Sequence, residues 1–331
     1  MYQLVHEDEM CKKHLKALLA VLLLGGTAQG AWAEPAWPAR PIRFAIPQAA
    51  GSANDVLART LADQLGRQLK QPVVVENRPG ANGSLAAGFL LSQPADGHTL
   101  FMAGVSNLSW NPYLYGNLSY DPARDFEGVA VFADTPFVSI VSPRLGVSNF
   151  AQFRELVRKH PGKYTYASAG IGNSTHLATE LIRRKVGLQM EHAPFNGSGS
   201  TTSVIAGDTP FMTTPPGGIS EMIRSGKLVA IAVTGEQRLK AFPDVPTYKE
   251  LGYEVVVPGW YSIVVKKGTD AQIVARLNQA INQALQAPDV KARMLAQSLD
   301  PVVSRPSDVK AYMERDAKGW STLINELGIK Q

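Results

Sequence analysis

Ile42-Arg43-Phe44-Ala45-Ile46-Pro47-Gln48-Ala49-Ala50-Gly51-Ser52-Ala53-Asn54-Asp55 is the stretch whose reading decides the fold. Its first five residues are a short apolar run of strand length. Residues 55–69 then carry Val56, Leu57, Leu61, Leu65 and Leu69 at helical spacing. Between them lies a loop of small and polar residues, so the unit reads as a strand entering a helix through a tight turn. The same alternation follows: a strand at 73–76, a helix at 84–91 and a strand at 99–103. Repeated strand–helix alternation predicts an α/β fold with a mixed sheet flanked by helices.

The pattern restarts past the middle. Strands are expected at 137–141, 164–166, 190–193, 211–213, 228–233 and 261–265, and helices at 149–160, 175–185, 200–205, 271–285, 287–296 and 306–327. A chain of 331 residues suits two ordinary domains. The expected architecture is therefore a two-lobed clamshell, with lobe I from 34–136 plus 259–331 and lobe II from 137–258. The chain would cross twice, leaving a ligand cleft between the lobes.

Composition narrows the function classes. Hydrophobic residues make up 45 % and charged residues 18 %, as in soluble globular chains. The net charge of +5 is dispersed without a dense basic run, so it steers anions weakly and is no nucleic-acid footprint. Lys12, Lys13 and Lys16 form a basic n-region, residues 15–24 a short apolar core, and the small residues Ala31-Trp32-Ala33 follow. This is a signal-peptide pattern, with cleavage expected after Ala33 and Met10 as an alternative initiator. The apolar run is too short to span a bilayer. Cys11, the one cysteine, falls in that leader, so thiolate chemistry and disulfides are excluded from the mature chain.

Open α/β sheets bind ligands where strands hand over to helices, because free helix-start N–H groups face the crevice. In the first such loop, Gln48, Ala49, Ala50 and Gly51 allow close approach, and Ser52 or Asn54 can cap the helix. Asp55 reads as a first-turn partner of the helix dipole. A second junction offers Ser106 and Asn107. A third runs Ala169, Gly170, Ile171, Gly172, Asn173, Ser174, Thr175, with His176 expected to be structural. A bulky side chain at Gly170 is expected to block the ligand at little cost in stability. A fourth supplies Phe195 and Asn196, and a fifth Thr214. These loops are rich in neutral dipoles and nearly empty of titratable groups. They suit anion binding and not acid–base work, so no catalytic residue, cofactor or metal is expected.

Several segments carry a family resemblance: 37–42 (Trp-Pro-Ala-Arg-Pro-Ile), 72–81 (Pro-Val-Val-Val-Glu-Asn-Arg-Pro-Gly-Ala), 94–100, 120–126, 166–170, 226–234 and 242–247. With them the chain resembles, over essentially its whole mature length, the substrate-binding receptors of tripartite tricarboxylate transporters, the TctC-like or Bug family. The resemblance implies a clamshell that holds a carboxylate, partly through water, and delivers it to membrane permease subunits. It maps the ligand loops onto 48–54, 106–107, 169–175 and 195–197. A monomer is the expected state.

Two departures shape the ligand expectation. The first loop lacks the aromatic, prolines and consecutive glycines usual in the family. Amino-acid-binding members also tend to place an acidic residue after the strand that here ends Thr213-Thr214-Pro215. An ammonium group would lack a partner there. The expected ligand is a mono- or dicarboxylate without an amino group, aliphatic or aromatic. Two other outputs are compatible with the sequence. The same receptor fold can feed a sensor kinase. Alternatively, Ser168 with His176 or His192 and Asp208 imitates a hydrolase triad, although Tyr166 replaces the leading glycine of a nucleophile elbow.

Overall fold

The computed structural model describes residues 37–195 and 199–329. The leader and Asn196 lie outside the described residues. From the start, the chain forms β1 (Ile42–Ile46), α1 (Ala53–Leu69), β2 (Val73–Asn77), α2 (Ser84–Leu91), β3 (Thr99–Gly104) and β4 (Phe126–Asp134). It continues with β5 (Val138–Val141), α3 (Phe150–Lys159), β6 (Thr165–Ser168), α4 (Ser174–Val186) and β7 (Glu191–Pro194). Next come α5 (Gly199–Ala206), β8 (Phe211–Thr214) and β9 (Val229–Val233). The chain closes with β10 (Trp260–Lys266), α6 (Ala271–Ala284), α7 (Pro288–Ala296), β11 (Asp300–Pro301) and α8 (Pro306–Leu327).

Two mixed sheets result. The first has the order β11-β4-β10-β3-β1-β2 and the second β7-β6-β8-β5-β9. In the first, β1 is parallel to β2 and β3, while β10 is antiparallel to β3 and β4. In the second, β6 is parallel to β7 and β8, while β5 is antiparallel to β8 and β9. The chain crosses between sheets near Thr135 and returns near Gly259. The two crossings are tied by the Thr135 N–H donating to the Gly259 carbonyl at 2.8 Å.

The helical spacing in α1 does what it predicts. Leu57, Leu61 and Leu65 are fully buried in one core with Phe44, Leu277 and Ile281. Each such side chain contributes about 1.5–3 kcal/mol by leaving water. Ser52 caps α1, its Oγ accepting from the Asp55 N–H at 3.2 Å.

One long strand had not been expected: β4, which lies between β11 and β10 in the first sheet. Its sequence, Phe-Glu-Gly-Val-Ala-Val-Phe-Ala-Asp, carries an interior glycine, which weakens a strand pattern. The reason for that glycine is tertiary. A Cβ at Gly128 would sit 2.6 Å from Val309 Cβ, because α8 lies directly on the strand.

Candidate functional site

The strand ends of the two sheets face a cleft of about 600 Å³. The first-sheet side supplies Pro47 and Gln48 after β1, Gly80–Gly83 after β2, and Gly104–Asn107 after β3. The second-sheet side supplies Ala169, Asn173 and Ser174 between β6 and α4, and Pro215 after β8. Thr135, Phe137, Gly259, Trp260 and Tyr261 form the part of the wall where the chain crosses. A second cavity of about 340 Å³ shares Pro215 and Tyr261 with the first. Ser52, Asn54, Thr201, Thr202 and Thr214 line it, together with Ile205, Ile219, Met222 and Leu299. Among the described residues, no Asp, Glu, Lys, Arg or His lines either cavity.

The expected site residues divide accordingly. Gln48, Ser106, Asn107, Ala169, Asn173 and Ser174 line the main cleft, and Ser52, Asn54 and Thr214 the adjoining cavity. Ala49, Ala50 and Gly51 are exposed and line neither. Phe195 packs against the core of the second sheet and also lines neither. Gly170, Gly172 and Thr175 belong to the third loop but line neither cavity. Thr175 Oγ1 accepts from the Ala169 N–H at 2.8 Å and donates to Asn173 Oδ1 at 3.0 Å. The Gly172 N–H donates to His176 Nδ1 at 3.1 Å, a structural role for that imidazole.

Asp55 likewise serves the scaffold. Burial would raise its pKa. Bonds from Arg59, the Gly51 N–H and Asn77 outweigh that and hold the carboxyl below its ordinary value. The Gly51 N–H is thus already engaged at 2.9 Å.

Residues 80–83 were not among the expected contacts, although they belong to the cleft wall. All four have positive φ: Gly80 127°, Ala81 44°, Asn82 46° and Gly83 88°. Left-handed backbone at Ala81 and Asn82 costs energy and persists only where neighbours impose it. A polar cluster does so. Asn82 Nδ2 donates to Asn111 Oδ1 at 2.8 Å, and the Asn82 carbonyl accepts from Asn107 Nδ2 at 2.8 Å. Asn107 Oδ1 in turn accepts from the Gly104 N–H at 3.0 Å. Asn107 is therefore first a support for the loop, although it touches the cleft. The junction rule applied to the other loops would have found residues 80–83, since they lie between β2 and α2.

Among the described residues, two side-chain oxygens on the cleft wall are buried without a hydrogen-bond partner: Gln48 Oε1 and Thr135 Oγ1. Native proteins rarely leave such atoms unsatisfied, and a ligand or water supplies the partner.

The triad-like arrangement resolves differently. Ser168 Oγ lies 2.7 Å from His192 Nε2, but Ser168 is fully buried and lines neither cavity. Its Oγ also accepts from the Gly170 N–H at 3.2 Å, which shapes the third loop.

Two mixed α/β sheets around a neutral cleft, joined by two crossings, define a solute-binding receptor of the two-lobed periplasmic type. The chain belongs to the tripartite tricarboxylate transporter receptor family, TctC, whose model matches residues 57–329. It is 34 % identical over 301 residues to protein BugT of Bordetella pertussis, covering 89 % of this chain and 91 % of that one. Among solved structures, it is similar to a Rhodopseudomonas palustris protein with adipate: TM-score 0.82, 26 % identity, 89 % of this chain and 99 % of that one. MatC from the same organism, with bound malate, matches at TM-score 0.78 and 27 % identity, over 87 % of this chain and all of that one (100 %). The family is one of receptors and not of enzymes, so the hydrolase alternative falls.

Proposed function

We propose that this chain is a periplasmic receptor that captures a small mono- or dicarboxylate lacking an amino group and delivers it to a tripartite tricarboxylate-type permease. The observation that carries this reading is a cleft whose wall is entirely neutral among the described residues and rich in hydroxyl and carboxamide groups, with the Thr135 hydroxyl buried there unpaired. A carboxylate is met there by hydroxyl, carboxamide and backbone donors, which bind anions without a counter-charge. An ammonium would find no acidic partner on the described wall and would lose hydration uncompensated. The adipate and malate in the related structures support a carboxylate and not a particular one. Gln48, Ser106, Asn173 and Ser174 are the contacts proposed for the main cleft. Ser52, Asn54 and Thr214 are proposed for the adjoining cavity, where Ile205, Met222 and Leu299 suit a ligand's apolar body.

The lobe limits proposed are 34–136 plus 259–331 and 137–258, with ligand bridging the lobes and favouring the closed form. The test is a thermal-shift screen of residues 34–331 against aliphatic and aromatic mono- and dicarboxylates, citrate-like acids and acidic amino acids. A dose-dependent rise with a non-amino carboxylate is expected. Micromolar binding of aspartate or glutamate would sink the ligand class. Binding in a pull-down with the cognate permease subunits tests delivery.

A further inference from the structure

We infer that Thr135, at the crossing between the sheets, is a ligand contact whose hydroxyl donates to an oxygen of the bound carboxylate. The inference rests on the carboxylate-receptor reading above. Thr135 follows the last residue of β4 and is 2 % exposed. Its Oγ1 is buried with no hydrogen-bond partner, yet the residue lines the main cleft. Its backbone is already engaged: the Thr135 N–H donates to the Gly259 carbonyl at 2.8 Å. Gly259 in turn tolerates no side chain, since a Cβ there would collide with the Thr135 carbonyl. The crossing is therefore held by main-chain contacts, which leaves the hydroxyl over.

An unpaired buried hydroxyl lowers the stability of the empty protein and is best accounted for by a partner that arrives with the ligand. A threonine hydroxyl facing a carboxylate oxygen forms a charge-assisted bond, stronger than a neutral pair. Valine has nearly the same shape and no hydroxyl. The site therefore predicts opposite effects of one substitution: relief in the empty state and loss in the bound state. A purely structural threonine would behave otherwise, because removing a satisfied hydroxyl costs stability whether or not ligand is present.

The experiment uses residues 34–331 with Thr135→Val and Thr135→Ser. Calorimetric affinity is measured for whichever carboxylate of the panel binds the unsubstituted protein most tightly. Melting temperature is measured without ligand. Thr135→Val is expected to weaken binding roughly ten- to a hundredfold while its ligand-free melting temperature is unchanged or higher. Thr135→Ser, which keeps the hydroxyl, is expected to bind within about threefold of the unsubstituted protein. Unchanged affinity in Thr135→Val overturns the inference. So does a lowered ligand-free melting temperature, or failure to fold, in that variant. If the unsubstituted protein binds no carboxylate at all, the receptor reading itself fails and this inference falls with it.

Discussion

Asn173 and Asn82 meet across the cleft, the Asn173 Nδ2 lying 3.5 Å from Asn82 Oδ1 at the outer limit of a hydrogen bond. One belongs to the second-sheet wall and the other to the left-handed loop of the first. Asn173 has a second duty: it caps α4, its Oδ1 accepting from the Thr175 N–H at 3.0 Å. Aspartate keeps the cap and even suits a helix start better. It also places a negative charge on the cleft wall. Asn173→Asp is therefore expected to keep the melting temperature within a few degrees while weakening carboxylate binding by roughly one to two orders of magnitude, as Coulomb repulsion at partly screened distances requires. Titration calorimetry beside a thermal melt separates the two effects. Undiminished affinity would remove Asn173 from the proposed site.

Gly83 and Asn107 constrain each other. A Cβ on Gly83 would land on the Asn107 carboxamide, and its φ of 88° is strained for any other residue. Displacing Asn107 releases the Gly104 N–H and takes the nearer of two donors from the Asn82 carbonyl, which keeps Asn111 Nδ2 at 3.2 Å. Gly83→Ala is expected to cost about 2–4 kcal/mol in denaturant unfolding. Asn107→Ala should cost about 1–3 kcal/mol without any ligand present, by leaving the Gly104 N–H without its partner and the Asn82 carbonyl with Asn111 alone. Full ligand-free stability in Asn107→Ala would return that residue to a purely ligand-facing role.

How much of this was legible in the sequence follows from which interactions are local. Strand–helix alternation, the α1 stripe and the Ser52 cap depend on neighbours a few residues away, and all could be read from spacing. The place of residues 80–83 at a strand–helix junction was legible too, but the left-handed backbone at Ala81 and Asn82 was not, because Asn107 and Asn111 impose it from a later segment. Thr135 and Tyr261 reach the cleft only because β4 and β10 pair, a relationship between positions over a hundred residues apart. Strand β4 itself was obscured by Gly128, whose meaning lies in α8. For the exposed Ala49 and Ala50, small size marked a turn rather than a contact.

Gly170 corrects the expectation that bulk there would spare stability. Its φ of 132° lies where only glycine sits comfortably, although a Cβ would meet nothing nearer than the Phe195 carbonyl at 3.9 Å. Backbone strain thus acts before any clash. Gly170→Ala is expected to lower stability by about 1–3 kcal/mol. It should also loosen the third loop, and Gly170→Leu should do no less. Ligand-free melts decide it: unchanged melting temperatures would mean that the loop relaxes at no cost.

His192 gives the fold a sensitivity to acid. It stacks on His176 with ring centroids 4.0 Å apart and on Tyr166 at 4.8 Å, with Ser168 Oγ at its Nε2. Glu180 and Arg183 stand beyond, paired with each other, and Tyr166 donates to Glu180. Burial, and then the neighbouring His176, push the His192 pKa down from 6.5 to about 4. Burial lowers His176 as well. In the unfolded chain these imidazoles regain ordinary values, so between about pH 6.5 and 4 the unfolded state binds more protons. Stability present above that window is therefore lost as pH falls through it, by an amount of order 1–3 kcal/mol for His192. Glu180 has its pKa lowered: its bonds from Arg183 and Tyr166 outweigh the opposing effect of burial. It adds loss of the same sign near the acid end. Melting curves from pH 7.5 to 4.5 should fall, and those of His192→Gln, which keeps a polar group toward Ser168 but cannot charge, should fall less steeply. Parallel curves for the two proteins would show that His192 does not carry the acid sensitivity.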